Sequence, residues 1–193
     1  MFGKILAYLN WVDVLIGLIY LRALYIGLKK GLIVELFKTV GMVFTIFIAL
    51  HYYVVTAVKL NVNFAAPIKV GEILALLVFW LLIKIVFKFL REGFIIIFKA
   101  EPHPGVNKVG GAFLAFLRGS LISSFILFLF FVTGNNYLIQ KANESYFGRP
   151  VQALSARIYG DIFDGFFNKL FPDEKKNLKA YQLGVKNGAQ KKQ

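Results

Sequence analysis

The chain has no cysteine, two histidines and ten acidic residues against 23 basic ones in a length of 193. Without cysteine there can be no disulfide, no thiolate metal site and no cysteine nucleophile, and the redox compartment stays open. His51 and His103 are too few and too separated to form a metal cluster, so no metal or other cofactor is expected. No G-x-S-x-G, P-loop or H-E-x-x-H motif occurs. Ser123 and Ser124 have no base near them in the sequence, and helix packing accounts for them better than catalysis. An enzyme is not expected. The scarcity of acids leaves a net charge of +13, yet no nucleic-acid-binding module accompanies it, and no nucleic-acid partner is expected. Lys and Arg instead fall between apolar runs and in the C-terminal stretch, where membrane proteins carry them for orientation and contact with anionic lipid. A cleavable leader is not expected either, because Lys4 is a thin basic region and no small-residue pattern closes the first apolar run before Arg22.

What the chain has in quantity is apolar surface: 58% of its residues are hydrophobic and the mean hydropathy is +0.66. Soluble domains hold about 45–50%, and here the surplus lies in runs long enough to cross a bilayer. Four such runs cover residues 12–28, 36–58, 73–90 and 110–132, the third with a possible interfacial continuation over 93–98. Lipid offers the backbone no hydrogen bonds, so each is expected to be a helix. The links contain Gly31, Pro67, Gly71, Pro102, Pro104 and Gly105, all turn residues. Short links make consecutive helices antiparallel. The expected fold is therefore an all-α membrane protein, a four-transmembrane-helix up-down bundle with a C-terminal amphipathic helix and a polar tail. It divides into a four-span domain (1–134), an interfacial segment (135–171) and a basic, disordered tail (172–193). Within the second, Val151, Leu154, Ile158, Phe163, Phe166, Phe167 and Leu170 recur at helical spacing over 149–171, as in a helix lying on a membrane surface. The His51-Tyr52-Tyr53 run resembles an interfacial aromatic belt.

Charges inside the apolar runs are the candidate functional residues. Asp13 lies three residues after Asn10, the spacing of a capping box, where the helix dipole also favours an acid. Capping is the favoured role, with a buried ion pair and ion handling as alternatives. Arg22 follows nine residues later, and nine steps of about 100° turn roughly half a circle, so the two cannot pair within one helix. Arg22 either snorkels to the headgroups or finds a partner in the bundle. Gly27 and Gly31 form a GxxxG pair, permitting close helix approach unless Gly31 simply breaks the helix at the turn. Glu35 opens the second span. In the fourth, Gly111, Ala115, Gly119 and Ser123 make a small-residue stripe that is expected to face the second span or a twin chain in a homodimer. Arg118 beside the stripe calls for an acid, with Glu35 and Asp13 the nearest candidates. Lys84, Lys88 and Arg91 share one face of the third span, marking either its cytoplasmic exit or, less favoured, a polar cavity.

Three stretches in order, LNWVDVLI (9–16), GLKKGLIVEL (27–36) and NKVGGAFLAFLRGSLI (107–122), resemble the CvpA family, the colicin V production proteins. The resemblance covers about residues 9–134. Asp13 matches the acid of the family's first motif. Lys30, Gly31 and Glu35 match the second, although Val34 stands where a basic residue is common. Asn107, Lys108, Gly111, Arg118 and Gly119 match the third, with Ala115 in place of a frequent glycine. The resemblance implies a multi-pass protein of the bacterial inner membrane, needed for production or export of the peptide toxin colicin V, with a wider role in the envelope. Its partners would be export or envelope proteins. The rival expectation is a small oligomeric channel or transporter for an ion or small solute. Basic residues around the first and third turns place those turns in the cytoplasm and both termini in the periplasm.

Overall fold

The computed structural model describes residues 10–64, 67–98 and 103–189. Lys4, with the leader reading, and Lys99 and Pro102 fall outside them. Four helices are long and apolar enough to cross a membrane: α1 (Trp11–Lys30), α2 (Leu32–Phe64), α3 (Ile68–Phe98) and α4 (Pro104–Thr133). Three shorter helices follow, α5 (Asn136–Glu144), α6 (Leu154–Ile162) and α7 (Leu178–Ala189). A π-helical turn, Phe163–Phe167, and a last turn, Asn168–Leu170, extend α6.

Local chemistry sets the boundaries. The Asn10 side chain accepts from the Val12 and Asp13 N–H groups and so starts α1, while Lys29 and Lys30 sit in its last turn, where the dipole favours cations. Gly31 ends it at φ 80°, a conformation costly to any residue with a Cβ. Pro104 occupies the first turn of α4, where its missing N–H costs nothing, and Gly134 closes that helix in the left-handed region. At 33 and 31 residues, α2 and α3 are about 50 and 46 Å long. Both exceed the roughly 30 Å hydrocarbon layer and run well past the expected spans.

Consecutive helices alternate in direction, as an up-down bundle requires, but α1 and α2 share few contacts. Helix α4 lies between them. Gly27 of α1 sits on Gly111 and Ala115, and Gly119 on Tyr20 and Ala23. On its other side α4 runs parallel to α2, with Glu35 beside Arg118 and Tyr53 beside Phe128. Helix α3 packs mainly on α2, through Phe37 against Phe94 and Phe44 against Phe87. Gly111, Ala115 and Gly119 of the small-residue stripe therefore face the first span and not the second. The reason is steric: Gly27 is the residue that admits the α4 backbone, since a Cβ there would stand 2.5 Å from the Gly111 carbonyl oxygen.

Helices α5 to α7 gather at the end of the bundle opposite the α1–α2 turn. The segment expected on the membrane surface buries Ala156, Tyr159 and Phe163 against α2 and α7, in a core shared with Ile46, Phe47, Leu50 and Phe128, and leaves Phe166 and Leu170 exposed. The stretch expected to be disordered contains α7. Its Asn177 caps the helix through the Ala180 N–H and donates to the Leu50 carbonyl at 2.7 Å, and Gly184 fits against Ala156. His51 and Tyr53 are buried under these helices and form no exposed belt.

Candidate functional site

Buried charge concentrates at the two ends of the bundle. At the α1–α2 turn, Glu35 is wholly buried. Its Oε2 accepts from Arg118 Nε at 2.8 Å and its Oε1 from Lys38 Nζ at 2.5 Å. One carboxylate thus joins α2 to α4 and holds a second cation on its own helix. In lipid an unpaired acid at this position would be costly, and pairing offsets that cost. The surrounding polar groups complete the join. Thr39 Oγ1 bridges the Glu35 and Leu114 carbonyls, at 2.8 and 3.2 Å. Asn107 Oδ1 accepts the orphan Leu32 N–H at 2.6 Å, so α4 caps α2. Arg118 Nη2 has no hydrogen-bond partner among the described residues.

Lys30 lies beside this cluster, exposed and outside any ion pair among the described residues. It lines a groove of about 480 Å³ with Val34, Arg91, Glu92 and Ile96. Arg91 Nη2 donates to Glu92 Oε1 at 3.2 Å. Lys84 and Lys88, the other members of that stripe, point outward from α3, with Lys84 Nζ 5.1 Å from the Trp80 ring centre. Arg22 is also exposed on the outside of α1, away from Glu35.

At the opposite end Asp13 does more than cap. Its Oδ2 accepts from the Asn10 N–H at 2.9 Å, completing the capping box. Its Oδ1 accepts from Ser145 Oγ at 2.6 Å and from the Phe147 N–H at 2.9 Å. The carboxylate therefore pins the segment after α5 to the start of α1, with no cation beside it among the described residues. Asp13 and Glu35 are not brought together.

Two further clusters escaped the sequence reading. Glu72, buried in α3, accepts from Lys179 of α7. They line a cavity of about 430 Å³ with Lys69, Phe131 and Gly134. His51 Nδ1 lies 3.1 Å from the Tyr159 hydroxyl, which accepts from the Asn177 N–H at 2.7 Å. The direction of the His51–Tyr159 hydrogen bond follows the tautomer of the imidazole. Burial pushes the Tyr159 hydroxyl up to about 12. The only sequence signal for the first cluster was Glu72 itself, an acid within an apolar helix. The second had none, because a histidine next to tyrosines reads equally well as a belt. Among the described residues no group of three or more His, Asp or Glu could hold a metal ion.

The family model described as Colicin V production protein matches residues 12–156. No curated protein and no solved structure matches the chain. The match takes in both ends of the Glu35–Arg118 pair, together with Asp13, Ser145 and Glu72, and leaves α7 outside.

Proposed function

The chain belongs to the colicin V production protein family, and from that premise we propose that it is a non-enzymatic protein of the bacterial inner membrane. It supports production or export of the peptide toxin colicin V, or upkeep of the envelope where that toxin is not made. Its working parts are the packed bundle and a partner protein held by the charged turns or the C-terminal helices. The observation that supports this reading is the Glu35–Arg118–Lys38 cluster, whose charges are spent on joining α2 to α4. Between that cluster and the opposite end the buried core carries no charge among the described residues: Met42, Ile46, Leu50, Leu121 and Phe125 are apolar, and the polar side chains among them are the hydroxyls of Thr45, Ser123 and Ser124. A path for an ion through one chain would have charged groups there. The test is toxin secretion from cells lacking the protein, scored as peptide in the medium against peptide retained. Retention that the intact gene reverses is expected, and normal secretion contradicts the proposal.

One observation favours a second reading, the oligomeric channel or transporter. Lys84 sits on the outward face of α3 among exposed Leu81, Leu82, Ile85 and Val86. Several copies sharing that face would line a path with Lys84 and Lys88. Solute flux into liposomes holding the purified protein, lost on Lys84→Gln, would support it over the accessory role.

A further inference from the structure

We propose that the groove between the α1–α2 turn and the end of α3 binds the phosphate of an anionic phospholipid headgroup. Three observations converge. The first is charge balance. Among the described residues, Lys30, Lys38, Arg91 and Arg118 find only Glu35 and Glu92 as acidic partners, an excess of two positive charges within that set, and Lys29 and Lys108 add to it at the same end of the bundle. Lys38 lies within electrostatic reach of both Lys30 and Arg118, so the buried cluster and the groove form one field. An anion relieves that excess where the surroundings screen charge poorly.

The second is which cations are free to bind. Glu35 engages Arg118 and Lys38. Lys30 has no ion pair among the described residues, and Arg91 is held only by the half-exposed Glu92 at 3.2 Å. Arg91 can thus turn its guanidinium to a phosphate, which it matches with two parallel N–H donors, while Lys30 adds a point charge. The third is the apolar remainder of the groove. Val34 and Ile96 line it, and exposed Phe89 and Ile85, each seven residues before a groove residue, Ile96 or Glu92, follow on the same face of α3. Free phosphate gains nothing from that surface, whereas acyl chains would lie along it. Basic pockets at the ends of membrane helices take anionic headgroups on this same basis.

The inference does not rest on the toxin role. The experiment uses the purified full chain, delipidated in neutral detergent, with thermal unfolding followed on addition of phosphatidylglycerol, phosphatidylcholine or inorganic phosphate. Phosphatidylglycerol is expected to raise the Tm where phosphatidylcholine does not. The double variant Lys30→Gln/Arg91→Gln is expected to weaken the lipid's half-saturating concentration at least tenfold. Glu92→Gln, which removes an acid from the groove, should strengthen binding, a change that damage to the fold would not produce. Lys141→Gln at the opposite end should leave binding unchanged. Equal shifts by the two lipids, or a double variant with unchanged affinity, would overturn the proposal. Inorganic phosphate binding as tightly as phosphatidylglycerol would overturn the lipid assignment in favour of a soluble anion.

Discussion

At the scale of single residues, Asp13 and Glu35 show what a lone carboxylate does in an apolar chain. Asp13 starts a helix and, through Ser145 and Phe147, anchors a segment more than 130 residues away. The capping half of that role was legible, because the N-cap and its acid are three residues apart. The anchoring half was not, since no local pattern records so distant a donor. Replacing Asp13 by Ala removes the acid half of the capping box, leaving the Asn10 N–H and the buried Ser145 hydroxyl without their acceptor. The expected loss is about 2–4 kcal/mol of stability. Asp13→Asn keeps one acceptor oxygen and should lose less. Thermal unfolding of the purified variants checks the order. The Glu35–Arg118 pair was more legible, because a charge in lipid has few places to go and Glu35 was one of two acids within reach.

At the scale of helices, the small residues of α4 announced close packing without naming the partner. A stripe of Gly111, Ala115 and Gly119 fits any helix that brings a matching gap, and the gap was Gly27 on α1. A Cβ on Gly111 would meet the Gly27 carbonyl oxygen at 2.5 Å and the Gly31 backbone at 2.8 Å. Backbone atoms cannot swing aside, so Gly111→Val should force α1 from α4 at a cost of about 1–3 kcal/mol or more. Gly17 on the same α1 has nothing within 4 Å of an added Cβ. Gly17→Ala should therefore be neutral, or gain up to about 1 kcal/mol from helix propensity. Unfolding temperatures of the two variants, measured side by side, separate packing from propensity. Helix α7 was missed for the opposite reason. Its polar composition gives it no stability alone, and it is held by Ala180, Gly184, Asn177 and the Lys179 contact with Glu72, all of them tertiary.

At the scale of the whole molecule, four spans and their alternation were legible because lipid permits little else. The lateral order, with α4 between α1 and α2, was not, because chain connectivity sets direction and side-chain shape sets neighbours. The proposed orientation puts the α1–α2 turn in the cytoplasm and the C-terminal helices outside. The cysteine-free chain makes that simple to test. In intact inner-membrane vesicles of right-side-out sense, a membrane-impermeant maleimide should label Lys175→Cys and spare Lys29→Cys. The reverse pattern would turn the molecule over.

The central claim is that the Glu35–Arg118 pair holds the bundle together and takes no part in moving a solute. Glu35→Met strands the charge of Arg118, a loss of about 3–5 kcal/mol for a buried pair, whereas Arg118→Met leaves Glu35 its contact with Lys38 and should cost less. Replacing both by apolar residues of similar volume removes that penalty and is often close to neutral. Toxin secretion by cells carrying Glu35→Met/Arg118→Met, alongside the amount of folded protein in the membrane, is the measurement. The account predicts low protein and low secretion in Glu35→Met, a smaller loss of both in Arg118→Met, where Lys38 still pairs with Glu35, and recovery of both in the double. A double variant at normal membrane level that secretes no toxin would contradict it, and would give the two charges a direct part in transport.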